Sequence, residues 1–194
     1  MMSASVVNYA LYQIGWCVCV LGATRGHPML GAALGMLPLL AHFALARRRR
    51  EAVVLALWTA AIGLAVDTTQ IALGTLHFAA GTVAAWLPPP WLVVIWAQFA
   101  MTFHYGLAWL KGHPGRAALF GAAGGPLAFL AGRRLGVVTL HPDLWPSLVS
   151  LALTWSVAIP AAVRMAGRQS GRDGIDEYRR WARALPDSAS LPSQ

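Results

Sequence analysis

Asp67 is the side chain in this sequence most in need of a chemical reason. It stands in GLAVDTTQ, followed by Thr68, Thr69 and Gln70, towards the end of an apolar run over residues 52–73. A carboxylate costs about 2.5–3.5 kcal/mol at the centre of a bilayer and less near its surface, so such a run keeps one only for a partner or a task. It can carry a proton, hold a cation, or accept from Arg133 or Arg134; a structural ion pair with one of these arginines is the leading expectation. His104 is the other side chain suited to acid or base work. Asp67 and His104 are therefore the two catalytic candidates.

Other polar groups recur at helical spacing. Asn8, Tyr12 and Trp16 are four apart, with Gln13 beside Tyr12; they share one side of a helix and either line a polar pocket or hydrogen-bond to neighbouring helices. Trp91, Gln98, Thr102, Tyr105 and Trp109 follow in steps of seven, four, three and four. That stripe either packs in the core or walls a substrate groove, and His104 lies about 100° round the helix from Tyr105, off its centre. The histidines (His27, His42, His77, His104, His113 and His141) form no close pair of the HExxH kind, and neither a GxSxG elbow nor a GxxxxGK phosphate loop occurs. No metal and no cofactor are expected. Cys17 and Cys19 point to nearly opposite sides of a helix and read as small apolar fillers.

These residues need elements to hold them, and the composition says that the elements are membrane helices. Of 194 residues 57% are hydrophobic and 11% charged, too apolar for an ordinary soluble fold. Nine tryptophans suit a chain that crosses headgroup layers. Apolar runs over 6–23, 29–46, 52–73, 91–110, 117–135 and 145–165 predict an all-α polytopic helix bundle of about six transmembrane helices. The first run lacks the basic lead of a secretory signal and is expected to stay as a span. Residues 74–90 are apolar but short and broken, so a re-entrant or surface-lying segment is expected there.

The formal charge of +8 is distributed by side. With the N-terminus inside, inner segments hold twelve of the fifteen Lys and Arg: four at 47–50, Lys111 with Arg116, and six from Arg164 onward. The outer segments hold Arg25, Arg133 and Arg134. This bias predicts that both termini are cytoplasmic, and no basic stripe interleaved with aromatics points to nucleic acid. Membrane lipids, anionic headgroups in particular, are the expected partner. Residues 1–165 then form one transmembrane domain and 166–194 a basic cytoplasmic tail, with a short amphipathic helix near 175–185 and a disordered Ser/Pro-rich end.

The stretch 121–136, GAAGGPLAFLAGRRLG, is expected to be the one that the other helices pack around. Gly124, Gly125 and Pro126 predict a helix break inside it, and the GxxxG pairs Gly121/Gly125 and Gly132/Gly136 predict a close helix contact.

Together with NYALYQIGWCVCVLGA, GLAVD and PPWLVVIWAQFAMTF, this stretch resembles the bacterial membrane proteins grouped as domain of unknown function 2878, over residues 8–155. The resemblance marks Asn8, Gln13, Trp16, Asp67, Trp91, Trp96, Gly125, Pro126, Arg134 and Gly136 as characteristic positions. Phe129 stands where relatives often carry tyrosine. The resemblance implies a multi-pass protein of the bacterial inner (cytoplasmic) membrane, with no assigned reaction and an association with lipid-modifying and photo-oxidative stress functions. The leading expectation is an accessory factor in envelope lipid modification or membrane stress, partnered by lipid-modifying membrane enzymes, with Asp67, Arg134 and the GGP step as its site. The alternatives are an intramembrane enzyme acting on an acyl chain or isoprenoid through Asp67 or His104, and a small transporter or flippase subunit, completed as a homo-oligomer.

Overall fold

The computed structural model describes residues 4–46 and 48–184. Six α-helices follow in order: α1 (Ala4–Thr24), α2 (Pro28–Leu45), α3 (Arg49–Ala72), α4 (Pro90–Phe99), α5 (Pro114–Arg134) and α6 (Leu144–Ala184), with strands β1 (Leu76–Phe78) and β2 (Val138–Leu140). Proline opens α2, α4 and α5, at a position where the missing N–H has no helical acceptor to lose. At the other end, α1, α3 and α5 each stop on a glycine with positive φ: Gly26, Gly74 and Gly136, at 67 to 77°. The next N–H reaches back to close the cap, from His27 to Gly22, Thr75 to Gln70 and Val137 to Gly132. Short connections then set α1, α2 and α3 antiparallel in turn.

One end of the bundle gathers these three caps and the small sheet. There Leu76 pairs with Leu140, His77 with Thr139 and Phe78 with Val138, antiparallel. Alternation turns Leu76, Val138 and Leu140 inward and His77 and Thr139 outward. The other end carries the turn between α2 and α3 and the 100–113 segment. At the centre stands α4, the shortest helix, which packs on α1, α2 and α3, whereas α5 packs chiefly on α6. The organising role expected of 121–136 therefore belongs to α4.

Two helices, α3 and residues 144–168 of α6, are long and apolar enough to cross a membrane, and α2 is a shorter apolar helix. Large apolar side chains face outward on the bundle, among them Ile14 on α1, Leu37 on α2, Leu57 on α3, Leu127 on α5 and Val157 on α6.

Several expectations change. The fourth run is not one helix over 91–110: α4 ends at Phe99 and gives way to 3₁₀ turns at Ala100–His104 and Ala108–Leu110. Thr102 Oγ1 donates to the Phe99 carbonyl at 2.7 Å, and the Tyr105 and Leu107 N–H groups both reach the Thr102 carbonyl. The backbone is satisfied in this tighter winding while Met101 and Phe103 enter the core. Residues 74–89, expected as a re-entrant or surface-lying segment, form β1 and an irregular stretch that leads into the proline opening α4.

The expected break at Gly124, Gly125 and Pro126 is absent, since α5 runs through Pro126 without interruption. Proline removes one backbone bond, and the close seating of Gly121 and Gly125 on Trp155 of α6 keeps the helix on course. Nor does a helix end follow Met165; α6 continues to Ala184, so the amphipathic stretch near 175–185 extends it. The Ser/Pro-rich end at 185–194 lies outside the described residues.

Candidate functional site

Asp67 is positioned by a run of small and polar residues on α3. Thr59, Gly63, Asp67 and Gln70 fall at steps of four, four and three, on one face, and all four are buried. Gly63 lets α4 come close, because a Cβ there would overlap the indole of Trp96. That approach brings Trp96 Nε1 to Asp67 Oδ2, to which it donates at 2.8 Å. Asp67 is 0% exposed and its Oδ1 has no hydrogen-bond partner among the described residues.

The expected ion pair is not formed. Arg133 and Arg134 are exposed in the last turn of α5, where positive charge suits the helix C-terminus. The physical reason is the packing order: α3 lies against α4 and α6 rather than α5, so Asp67 meets an indole instead of a guanidinium.

Trp96 carries the arrangement onward. Its ring lies 4.6 Å from that of Trp155 on α6, tilted by 40°, and Phe99 stands edge-on to it at 6.4 Å. Phe129 of α5 meets Trp155 edge-on at 6.4 Å, and Tyr12 of α1 meets Phe99 at 5.7 Å. Gly125 gives Trp155 its place, since a Cβ there would sit 2.5 Å from Trp155 Cγ. These are favourable tilted and edge-to-face geometries.

The rings surround a narrow cleft of about 70 Å³ between α1 and α5, backed by α4. Tyr12 and Trp16 form one wall, Ala128, Phe129 and Gly132 the other, and Trp91, Ile95, Trp96 and Phe99 the back, with Phe78 and Val138 of the strands closing the sheet end. No carboxylate, imidazole, amine or thiol lines it among the described residues. Of its indole N–H groups, that of Trp96 is taken by Asp67 and that of Trp91 by the Ala80 carbonyl, and the Trp155 Nε1 is buried without a partner among the described residues. Asp67 reaches this cleft only through the Trp96 ring it holds.

The sequence candidates thus separate. Of the first-helix group, Tyr12 and Trp16 line the cleft, Asn8 is buried with its Oδ1 unpartnered, and Gln13 is exposed. Gln98 points away from the cleft: its Nε2 donates to the Gly35 carbonyl of α2 at 2.5 Å, in space left by Gly15 of α1. Gln70 joins a structural network, donating to Thr154 Oγ1 at 2.9 Å and accepting from Thr75 Oγ1 at 2.6 Å. In the 91–109 stripe Trp91, Gln98 and Thr102 are buried, but Tyr105 and Trp109 are exposed because the helix that would align them ends at Phe99.

His104 and Asp67 are not neighbours. His104 is exposed at the end opposite the sheet, where it shares a cavity with Glu51 and its Nδ1 lies 2.8 Å from Lys111 Nζ. Asp67 is sixteen residues beyond Glu51 on α3, about 24 Å along the axis at 1.5 Å per residue. They form no joint acid and base.

The family model described as a protein of unknown function (DUF2878) matches residues 5–161, the whole of the site included. The chain belongs to this family. No curated protein and no solved structure matches it. Of the positions that the family resemblance marks, Trp16, Trp91 and Trp96 line the cleft, Asp67 and Gly125 seat its rings, and Gly136 caps α5. Gln13 and Arg134 are exposed. Sequence reasoning missed Gly63, Phe99 and Trp155. For Gly63 a signal existed in the small and polar spacing from Thr59 to Gln70; for Trp155, one tryptophan in an apolar run, there was none.

Proposed function

We propose that this protein is a multi-pass protein of the bacterial inner membrane that seats a few carbons of one acyl or isoprenoid chain in the aromatic cleft, as an accessory factor in envelope lipid modification. The single observation that carries this reading is the cleft itself, a slot walled by aromatic rings and lacking charged side chains. Such a lining favours a slender apolar chain. The aromatic lining suits binding and presentation, and the bond-changing chemistry belongs to a partner enzyme. Deletion of the gene under normal and oxidative conditions tests the role: a changed membrane lipidome is expected, and an unchanged one under both conditions refutes it.

Six crossings fit the chain if residues 90–110 count as an inner, irregular one. Non-helical backbone is tolerated at membrane depth when protein covers it, and Ala100, Met101, Thr102 and Phe103 are all buried. Exposed Trp86 and Trp145 near the sheet and Trp109 at the other end suit two headgroup layers. The arginine bias then puts the sheet outside and both termini in the cytoplasm. In a cysteine-free background, Thr139→Cys should label from outside intact cells and Gly112→Cys only after lysis; the reverse pattern overturns this orientation.

A further inference from the structure

A further cavity, of about 630 Å³, lies at the end of the bundle away from the sheet, between the start of α5 and the middle of α6. Its floor is apolar, with Leu110, Ala117 and Val163 buried at 0%, 0% and 5%. Its rim is cationic. Arg164 and Arg168 line it one turn apart on α6, His113 lines it from the start of α5, and no carboxylate does among the described residues. Both arginines are exposed, and neither has an ion-pair or hydrogen-bond partner among the described residues. Like charges at this helical spacing repel, so an anion bridging them would be held by both and would relieve the repulsion. A guanidinium fork matches phosphate oxygens in particular.

The floor narrows the choice of anion. A free phosphate gains nothing from Leu110 and Val163, whereas a phospholipid places its phosphate at the rim and the first carbons of its acyl chains against them. We propose that this cavity binds the phosphodiester headgroup of an anionic phospholipid, with Arg164 and Arg168 on the phosphate oxygens. The site is independent of the aromatic cleft, which lies towards the sheet and contains no cation.

Native mass spectrometry of the full chain in detergent tests it, by titration with phosphatidylglycerol, phosphatidylcholine and inorganic phosphate. An arginine near a membrane surface is worth about fivefold in affinity, so the double substitution Arg164→Gln and Arg168→Gln should weaken phosphatidylglycerol binding about 30-fold. Phosphatidylcholine should bind the parent protein more weakly and be less affected. Arg133→Gln with Arg134→Gln removes the same charge at the other end and should leave phosphatidylglycerol binding unchanged, while Arg164→Lys with Arg168→Lys should lose less than the glutamine pair. Because both arginines are exposed, an unchanged helical circular dichroism spectrum is expected for every variant. Equal binding by the glutamine pair, equal losses at the two ends, or displacement of the lipid by equimolar inorganic phosphate would each overturn the proposal.

Discussion

Cutting the link between Asp67 and Trp96 should cost less when both partners are removed than the two single changes together imply. Trp96→Phe keeps a ring beside Trp155 but leaves both carboxyl oxygens of Asp67 without a donor, since Oδ1 already lacks one. Asp67→Ala strands the indole N–H instead. Either stranded group costs about 1–3 kcal/mol when buried, and the double mutant strands neither. Hydrogen bonds between membrane helices average about 0.6 kcal/mol in such cycles and reach about 1.7. This bond belongs at the upper end, because it is 2.8 Å long, involves a carboxyl group, and joins residues that are 0% and 2% exposed. A coupling of about 1–1.7 kcal/mol is therefore expected. Reversible unfolding in mixed micelles, followed by circular dichroism, measures it across the four proteins. Additivity within about 0.3 kcal/mol would refute the reasoning. Asp67→Asn retains an acceptor for the indole and should lose less than Asp67→Ala.

The adjacent glycines of α5 should behave oppositely in the same unfolding assay. Gly124→Ala meets only Phe120 at 4.0 Å and should stabilise by about 0.5–1 kcal/mol through its helix preference, whereas Gly125→Ala drives a methyl into Trp155 and should destabilise by about 1–2 kcal/mol net. Pro126→Ala should be neutral or stabilising, because it restores a backbone bond in a helix that already continues past this residue; lost stability would show that the proline has a structural role of its own. Gly136→Ala, at φ 75°, should cost about 1 kcal/mol, and no loss would mean that the α5 cap can be remade without the left-handed residue.

What could be read in advance follows from how each signal is encoded. Helices α1, α2, α3, α5 and the start of α6 were legible because apolar runs of this length have few alternatives and because proline and glycine mark their ends. The early end of α4 was not, since it depends on a hydroxyl at Thr102 turning back on the Phe99 carbonyl and on core space for Phe103. The sheet was hidden for a similar reason: two three-residue strands far apart in sequence have no meaning until α5 and α6 bring them together. Asp67 announced itself by its cost, but its partner did not: the family resemblance marks Trp96, yet nothing in the spacing ties it to Asp67. The arginines at 133 and 134 were the more visible candidates, and which helices touch, a tertiary fact, decided against them.

The cleft can be probed at its rim without disturbing its back wall. Ala128 is exposed yet lines the cleft, so Ala128→Trp should fill the slot while leaving Trp96 and Trp155 in place. A phospholipid with a diazirine near the end of its acyl chain, irradiated with the protein in nanodiscs and mapped by mass spectrometry, reports where the chain lies. Adducts concentrated on Trp16, Ile95 and Phe129, and lost in Ala128→Trp, are the expected result. Adducts spread over outward residues such as Leu37, Leu57 and Val157, and unchanged by Ala128→Trp, would show that the cleft holds no lipid chain.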